Sequence, residues 1–151
     1  MFGLNYKLLK LEEEGNPVYA GVVGAGNQGR GMINQMAGMP GMRPAIISDI
    51  RLENAVSAYE NAGLTREQFI VTNDLKEANE ALKNGKFVVT EDFKLVAQAE
   101  GISTVVDATG VPEVGARLAV EAIENGKNIV MLNVDCLLYT SPSPRDRQKS
   151  R

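Results

Sequence analysis

Val18-Tyr19-Ala20-Gly21-Val22-Val23-Gly24-Ala25-Gly26-Asn27-Gln28-Gly29 decides how this chain is read. An apolar run, the signature of a strand covered on both faces, ends in Gly-x-Gly-x-x-Gly. A helical pattern follows at once, with Ile33, Met36 and Ala37 at helical spacing over 30–39. Strand, glycine turn and helix in that order form the phosphate-binding turn of a dinucleotide fold. Gly24 lets the chain turn sharply off the strand. Gly26 brings no Cβ between the backbone and a pyrophosphate. Gly29 lets the helix lie close to the strand. The free amides around Asn27 and Gln28, together with the positive end of the helix dipole, then face the anion.

The next apolar run, Pro44-Ala45-Ile46-Ile47-Ser48-Asp49, ends in an acid. Asp49 stands about 20 residues beyond Gly29, where a dinucleotide site places a carboxylate on the adenosine ribose. Read alone, such an acid is also a solvated strand end; the spacing favours the ribose. Arg51 follows closely. It suits stacking on adenine, contact with a 2′-phosphate or a plain surface position, so NAD and NADP both stay open.

The rest of the chain alternates. The sequence predicts helices over 52–62, 75–82, 92–101 and 112–124, with Asn73 or Asp74 and Glu91 or Asp92 as N-caps and Pro112 in a first turn. Extended segments are expected at 70–72, 87–90, 104–107 and 128–133. An amphipathic helix over 3–14 precedes them, with Leu4, Leu8 and Leu11 on one face and Gly15-Asn16-Pro17 as its stop. Alternating strands and helices predict an α/β fold, a Rossmann-type doubly wound parallel sheet. In such a sheet ligands lie across the carboxyl ends of the strands. The turn Asp107-Ala108-Thr109-Gly110 is therefore placed to touch the nicotinamide half of the cofactor, through the Thr109 hydroxyl and the Gly110 backbone.

Composition narrows the chemistry. The chain of 151 residues is 44% hydrophobic and 23% charged, with net charge −3, no His and one Cys. These values suit one soluble, cytoplasmic domain. Without His, no His-based triad or His metal ligand is available. The acidic balance gives no nucleic-acid footprint, and no apolar run is long enough for a membrane helix. No catalytic residue and no metal site is read in this chain; a homo-oligomer is left open.

Beyond position 135 the pattern stops. Cys136-Leu137-Leu138-Tyr139-Thr140-Ser141-Pro142-Ser143-Pro144-Arg145-Asp146 has no strand or helix period. Back-translated, it resembles the transposase adapter used in preparing sequencing libraries. That resemblance implies a non-native, disordered tail over 136–151 and a cofactor domain over 1–135. The tail holds Arg145, Arg147, Lys149 and Arg151 against Asp146, so the remainder is more acidic than the total.

The stretches Val-Val-Gly-Ala-Gly-Asn-Gln-Gly, Ile-Ser-Asp-Ile-Arg, Val-Val-Asp-Ala-Thr-Gly-Val-Pro and Val-Met-Leu-Asn-Val together resemble homoserine dehydrogenase-like NAD(P)-dependent oxidoreductases. The narrower likeness is to the group with a C-terminal SAF domain, which includes the deoxyxylulose phosphate reductoisomerase-like protein. It rests on the leader helix and the helix–strand insert between Ile70 and Thr90. The resemblance implies an NAD or NADP site at Gly24, Gly26, Asn27, Gln28, Gly29, Asp49, Thr109 and Gly110. It also implies truncation before a substrate domain that carries the catalytic groups and takes a small-molecule substrate. The chain alone is then expected to bind cofactor without turnover. Homoserine dehydrogenases proper carry Asn-Lys after the last strand, whereas this chain reads Asn133-Val134-Asp135. A nucleotide-sensing module without catalysis is the alternative reading.

Overall fold

The computed structural model describes residues 3–132. The expected tail over 136–151 and Asn133 to Asp135 lie outside the described residues. Six strands, β1 (Val18–Val23), β2 (Met42–Ser48), β3 (Phe69–Val71), β4 (Phe87–Thr90), β5 (Thr104–Asp107) and β6 (Asn128–Met131), form one sheet in the order β3-β4-β2-β1-β5-β6. Every pairing is parallel. The helices are α1 (Leu4–Glu13), α2 (Asn27–Gly38), α3 (Leu52–Asn61), α4 (Leu75–Lys83), α5 (Phe93–Gln98) and α6 (Pro112–Glu124). This is the Rossmann-type α/β fold that the alternation predicts.

The chain leaves β1 toward β2 on one side. It later crosses to β5 on the other, so strand order reverses between β1 and β5. Side chains alternate across the sheet. Ala20, Val22, Ile47, Val89 and Val106 pack with Ile33 and Met36 of α2 and Tyr59 of α3. Val23, Ile46, Val88 and Val105 pack with α4, α5 and α6, through Ala78, Val96 and Leu118. Helices cover both faces, which is why the strands read as unbroken apolar runs.

Several boundaries differ from the expectation; α5, for one, ends at Gln98 rather than at 101. Helix α2 begins at Asn27 rather than at 30, so the last part of the glycine motif is its first turn. Strand β2 begins at Met42, which places Pro44 inside a central strand. A bulge makes this tolerable: Ala20 pairs with Pro44 and Gly21 with Ile46, skipping Ala45. The buried Tyr59 hydroxyl donates to the Pro44 carbonyl at 2.7 Å and locks α3 to the bulge. Burial raises the Tyr59 pKa well above its ordinary value. Leu4 is exposed rather than sharing a buried face with Leu8. Helix α1 is held instead by Leu8 and by Glu12, which accepts from the Gly41 amide at 2.7 Å and pairs with Arg43. A Schellman turn closes it, with the Gly15 and Asn16 amides on the Glu12 and Leu11 carbonyls.

Gly21 of β1 lies directly under Val96 of α5. A Cβ there would overlap Val96 Cγ1 and lie 3.1 Å from Ile46 Cγ2. Val96 is branched and fully buried, so it has little room to withdraw. Gly21→Ala is expected to lose roughly 1–3 kcal/mol of stability through overpacking. Urea denaturation followed by circular dichroism checks this; an unchanged midpoint contradicts the packing described.

Candidate functional site

The glycine turn is built by exclusion. Gly24 has φ +96°, in the region open to glycine. A Cβ on it would lie 2.6 Å from the Ala108 carbonyl oxygen. The turn is thus wedged against the exit of β5, and two backbone bonds hold it: Gly24 N–H to the Ser48 carbonyl at 2.7 Å and Ala108 N–H to the Val23 carbonyl at 2.8 Å. A Cβ on Gly29 would overlap the Gly24 carbonyl oxygen. That contact presses the first turn of α2 onto the end of β1. Gly26 differs from both: a Cβ there would meet nothing within 4 Å.

Gly26 is also the N-cap of α2, and among the described residues no side chain caps that helix. The amides of Asn27, Gln28 and Gly29 therefore lack intrahelical partners. By contrast, Asp74 caps α4 by accepting from the Glu77 amide, and Asp92 caps α5 by accepting from the Lys94 amide. Open amides at the end of a dipole can receive an anion.

Asp49, just past the end of β2, is half-buried. Its Oδ2 accepts from the Ala25 amide at 2.7 Å. Its Oδ1 accepts from the Arg51 amide at 2.8 Å and from Asn54 Nδ2 at 3.3 Å. The acid is thus not a free, solvated strand end. It is tied to the glycine turn and aimed by α3. Asn54 carried no sequence signal for this role. The Arg51 side chain is exposed and has no hydrogen bond or ion pair among the described residues.

At the exit of β5, Asp107 Oδ1 accepts from both the Thr109 amide (3.0 Å) and the Thr109 hydroxyl (2.7 Å). Thr109 Oγ1 in turn accepts from the Val111 amide at 3.2 Å. Two successive side-chain turns thus lead the chain to Pro112, the first residue of α6. Gly110 has φ +66° and is exposed.

These exits enclose a cleft of about 430 Å³ across the carboxyl ends of β4, β2, β1 and β5. Of the residues expected at a ligand, Gly24, Gly26, Asp49, Arg51 and Thr109 line it. Gly29 is buried beneath the turn, while Asn27, Gln28 and Gly110 stand outside the lining. Asn54, Glu91 and the apolar walls Ile50, Phe93, Val111 and Val114 were not foreseen. Ile50 is 88% exposed, an unusual position for a large apolar side chain. A second cavity of about 460 Å³, lined in part by Tyr19, Arg43, Phe87 and Ile102, lies at the opposite strand ends and contains none of the expected residues.

The chain matches no protein-family model and no curated protein sequence. Among solved structures it is similar to myo-inositol dehydrogenase from Lactobacillus casei, in complex with NAD(H) and myo-inositol. The TM-score is 0.57 at 22% identity, over 76% of this chain and 28% of that one. The chain thus spans little more than a quarter of that structure. The likeness is one of fold and agrees with the sheet described above. No helix among the described residues is long and apolar enough to cross a membrane.

Asp49→Ala is expected to leave the Ala25 and Arg51 amides without their acceptor. The loss should be about 1–3 kcal/mol in chemical denaturation, with faster amide exchange at Ala25. Unchanged exchange there contradicts the tie between the two motifs.

Proposed function

We propose that this chain is the nicotinamide-cofactor-binding part of an oxidoreductase. The parent protein transfers hydride between NAD or NADP and the carbonyl or alcohol of a small polar substrate, in the manner of homoserine dehydrogenase-like enzymes. The observation that carries this reading is the uncapped N-terminus of α2, rising from the Gly24 turn into the same cleft as Asp49. The pyrophosphate would take the amides after Gly26, where no Cβ intrudes. Asp49 Oδ2 has one bond and keeps a lone pair for a ribose hydroxyl. The exposed Ile50 offers a flat base an apolar surface, and the unpaired Arg51 guanidinium offers it a stacking partner or a 2′-phosphate a counter-charge. Thr109 and its turn border the nicotinamide side. The cofactor supplies the hydride chemistry, and the protein positions it.

Two further observations support the reading. The structurally similar dehydrogenase was solved with NAD(H). The insert that carries the narrower family likeness forms β3, α4 and β4, which extend the sheet beyond β2. The catalytic groups would lie in a substrate domain beyond position 135, and the sequence resemblance is what supports placing them there. Calorimetric titration with NADH and NADPH tests the proposal. Saturable binding is expected, with no steady-state oxidation of polar alcohols by this chain. Absence of binding to both cofactors contradicts the reading; turnover contradicts the placement of the catalytic groups elsewhere.

A further inference from the structure

Three helix N-termini without a side-chain cap meet at the cleft; Asp49 stands beside that of α3 and accepts from the Arg51 amide, and the other two are those of α2 and α6. Either dipole end could draw a phosphate. They differ in what lies beneath them. The first turn of α2 contains no acidic residue. Beneath the first turn of α6 lies Asp107, 0% exposed. Its Oδ1 is engaged by Thr109, while its Oδ2 is buried with no hydrogen-bond partner among the described residues. Oδ2 is aimed at α6: a Cβ on Gly115 would overlap it, and the Met131 methyl lies 3.4 Å from that same point. The absence of a side chain at Gly115 is what makes room for the acid.

A buried carboxylate is costly unless something compensates its charge. No basic side chain contacts this one among the described residues. The compensating field is the terminus of α6, which amounts to roughly half a unit of positive charge. An ionised carboxylate outweighs that half-charge and leaves this end of the cleft net negative. Glu113, also in the first turn of α6, is exposed and paired with Arg117. The other charged lining residues, Asp49, Arg51 and Glu91, stand on the β2 and β4 side.

We propose that Asp107 is the specificity-determining residue that sorts charge along the cleft. It cancels the anion-attracting end of α6, so the diphosphate is directed to α2. It also favours a cationic ring over a neutral one beside the Thr109 turn, so the site selects oxidised nicotinamide over reduced. This rests on the cofactor reading above. Asp107 acts through the low-dielectric body of the protein rather than by contact, since it does not line the cleft.

The test compares NAD+, NADH and ADP-ribose binding by calorimetry, in the wild type and in Asp107→Asn. Asn keeps an oxygen for Thr109 and puts a neutral amide nitrogen in place of the charged oxygen. Wild type is expected to bind NAD+ several-fold more tightly than NADH. The variant is expected to lose about tenfold in NAD+ affinity, with NADH and ADP-ribose changed less than about twofold. Equal weakening of all three would mark a merely structural role and overturn the proposal. So would wild-type binding of NADH as tight as that of NAD+, a comparison that decides the matter even if the variant fails to fold. If wild type binds none of the three, the cofactor reading fails; if all three bind without discrimination, this inference alone fails.

Discussion

The Gly29 α-carbon lies so close to the Gly24 carbonyl oxygen that no side chain fits between them, and Gly24 is wedged in turn against the Ala108 carbonyl. The rest of the site depends on this chain of backbone contacts. It fixes where α2 begins, and so where its unpaired amides point. It also ties the exit of β1 to the exit of β5 across the place where strand order reverses. Buried apolar packing on both faces of the sheet supplies the rigidity, but such packing is indifferent to where the helix ends sit. The glycines settle that.

Capping chemistry then separates structural helix ends from open ones. Asp74 and Asp92 each accept from one amide in the first turn of α4 and α5, which gives those ends a local use for their dipoles. The N-termini of α2, α3 and α6 have no side-chain cap, and residues at all three line the cleft. Unsatisfied amides at a protein surface call for water or a ligand. Asp49 and Asp107 lie on the two sides of the glycine turn and have different surroundings. Asp49 is half-buried, with three donors on its oxygens. Asp107 is fully buried, with Thr109 on one oxygen and none on the other.

Much of this was legible in the residues. The bounds of β1 and β4 follow from apolar runs punctuated by glycine, the glycine turn and Asp49 from motif and spacing, and Thr109 from its place at a strand exit. What was not legible came from tertiary contacts. Pro44 read as a strand start, because nothing local announces a bulge opposite Gly21. Met42 and Arg43 therefore fell outside the expected strand. Helix α2 starts three residues earlier than its side-chain period suggests, because glycine, Asn and Gln carry no apolar signal while their backbone already turns. Asp107 read as part of a strand exit; its burial becomes evident only when Gly115 of α6 is seen packed over it. Ile50 and Phe93 carried no motif, and only the fold brings them to one cleft.

The central claim is that backbone amides at the start of α2 grip a diphosphate while Asp49 holds the adjoining sugar. The most direct measurement is an amide-resolved NMR titration of the isotopically labelled chain with NAD+. The account predicts saturable shifts concentrated at Ala25 to Gly29, at Asp49 to Arg51 and at Thr109, with the residues around Tyr19, Lys86 and Ile102 at the opposite strand ends unmoved. Shifts confined to those opposite ends, or none at the glycine turn, would contradict it.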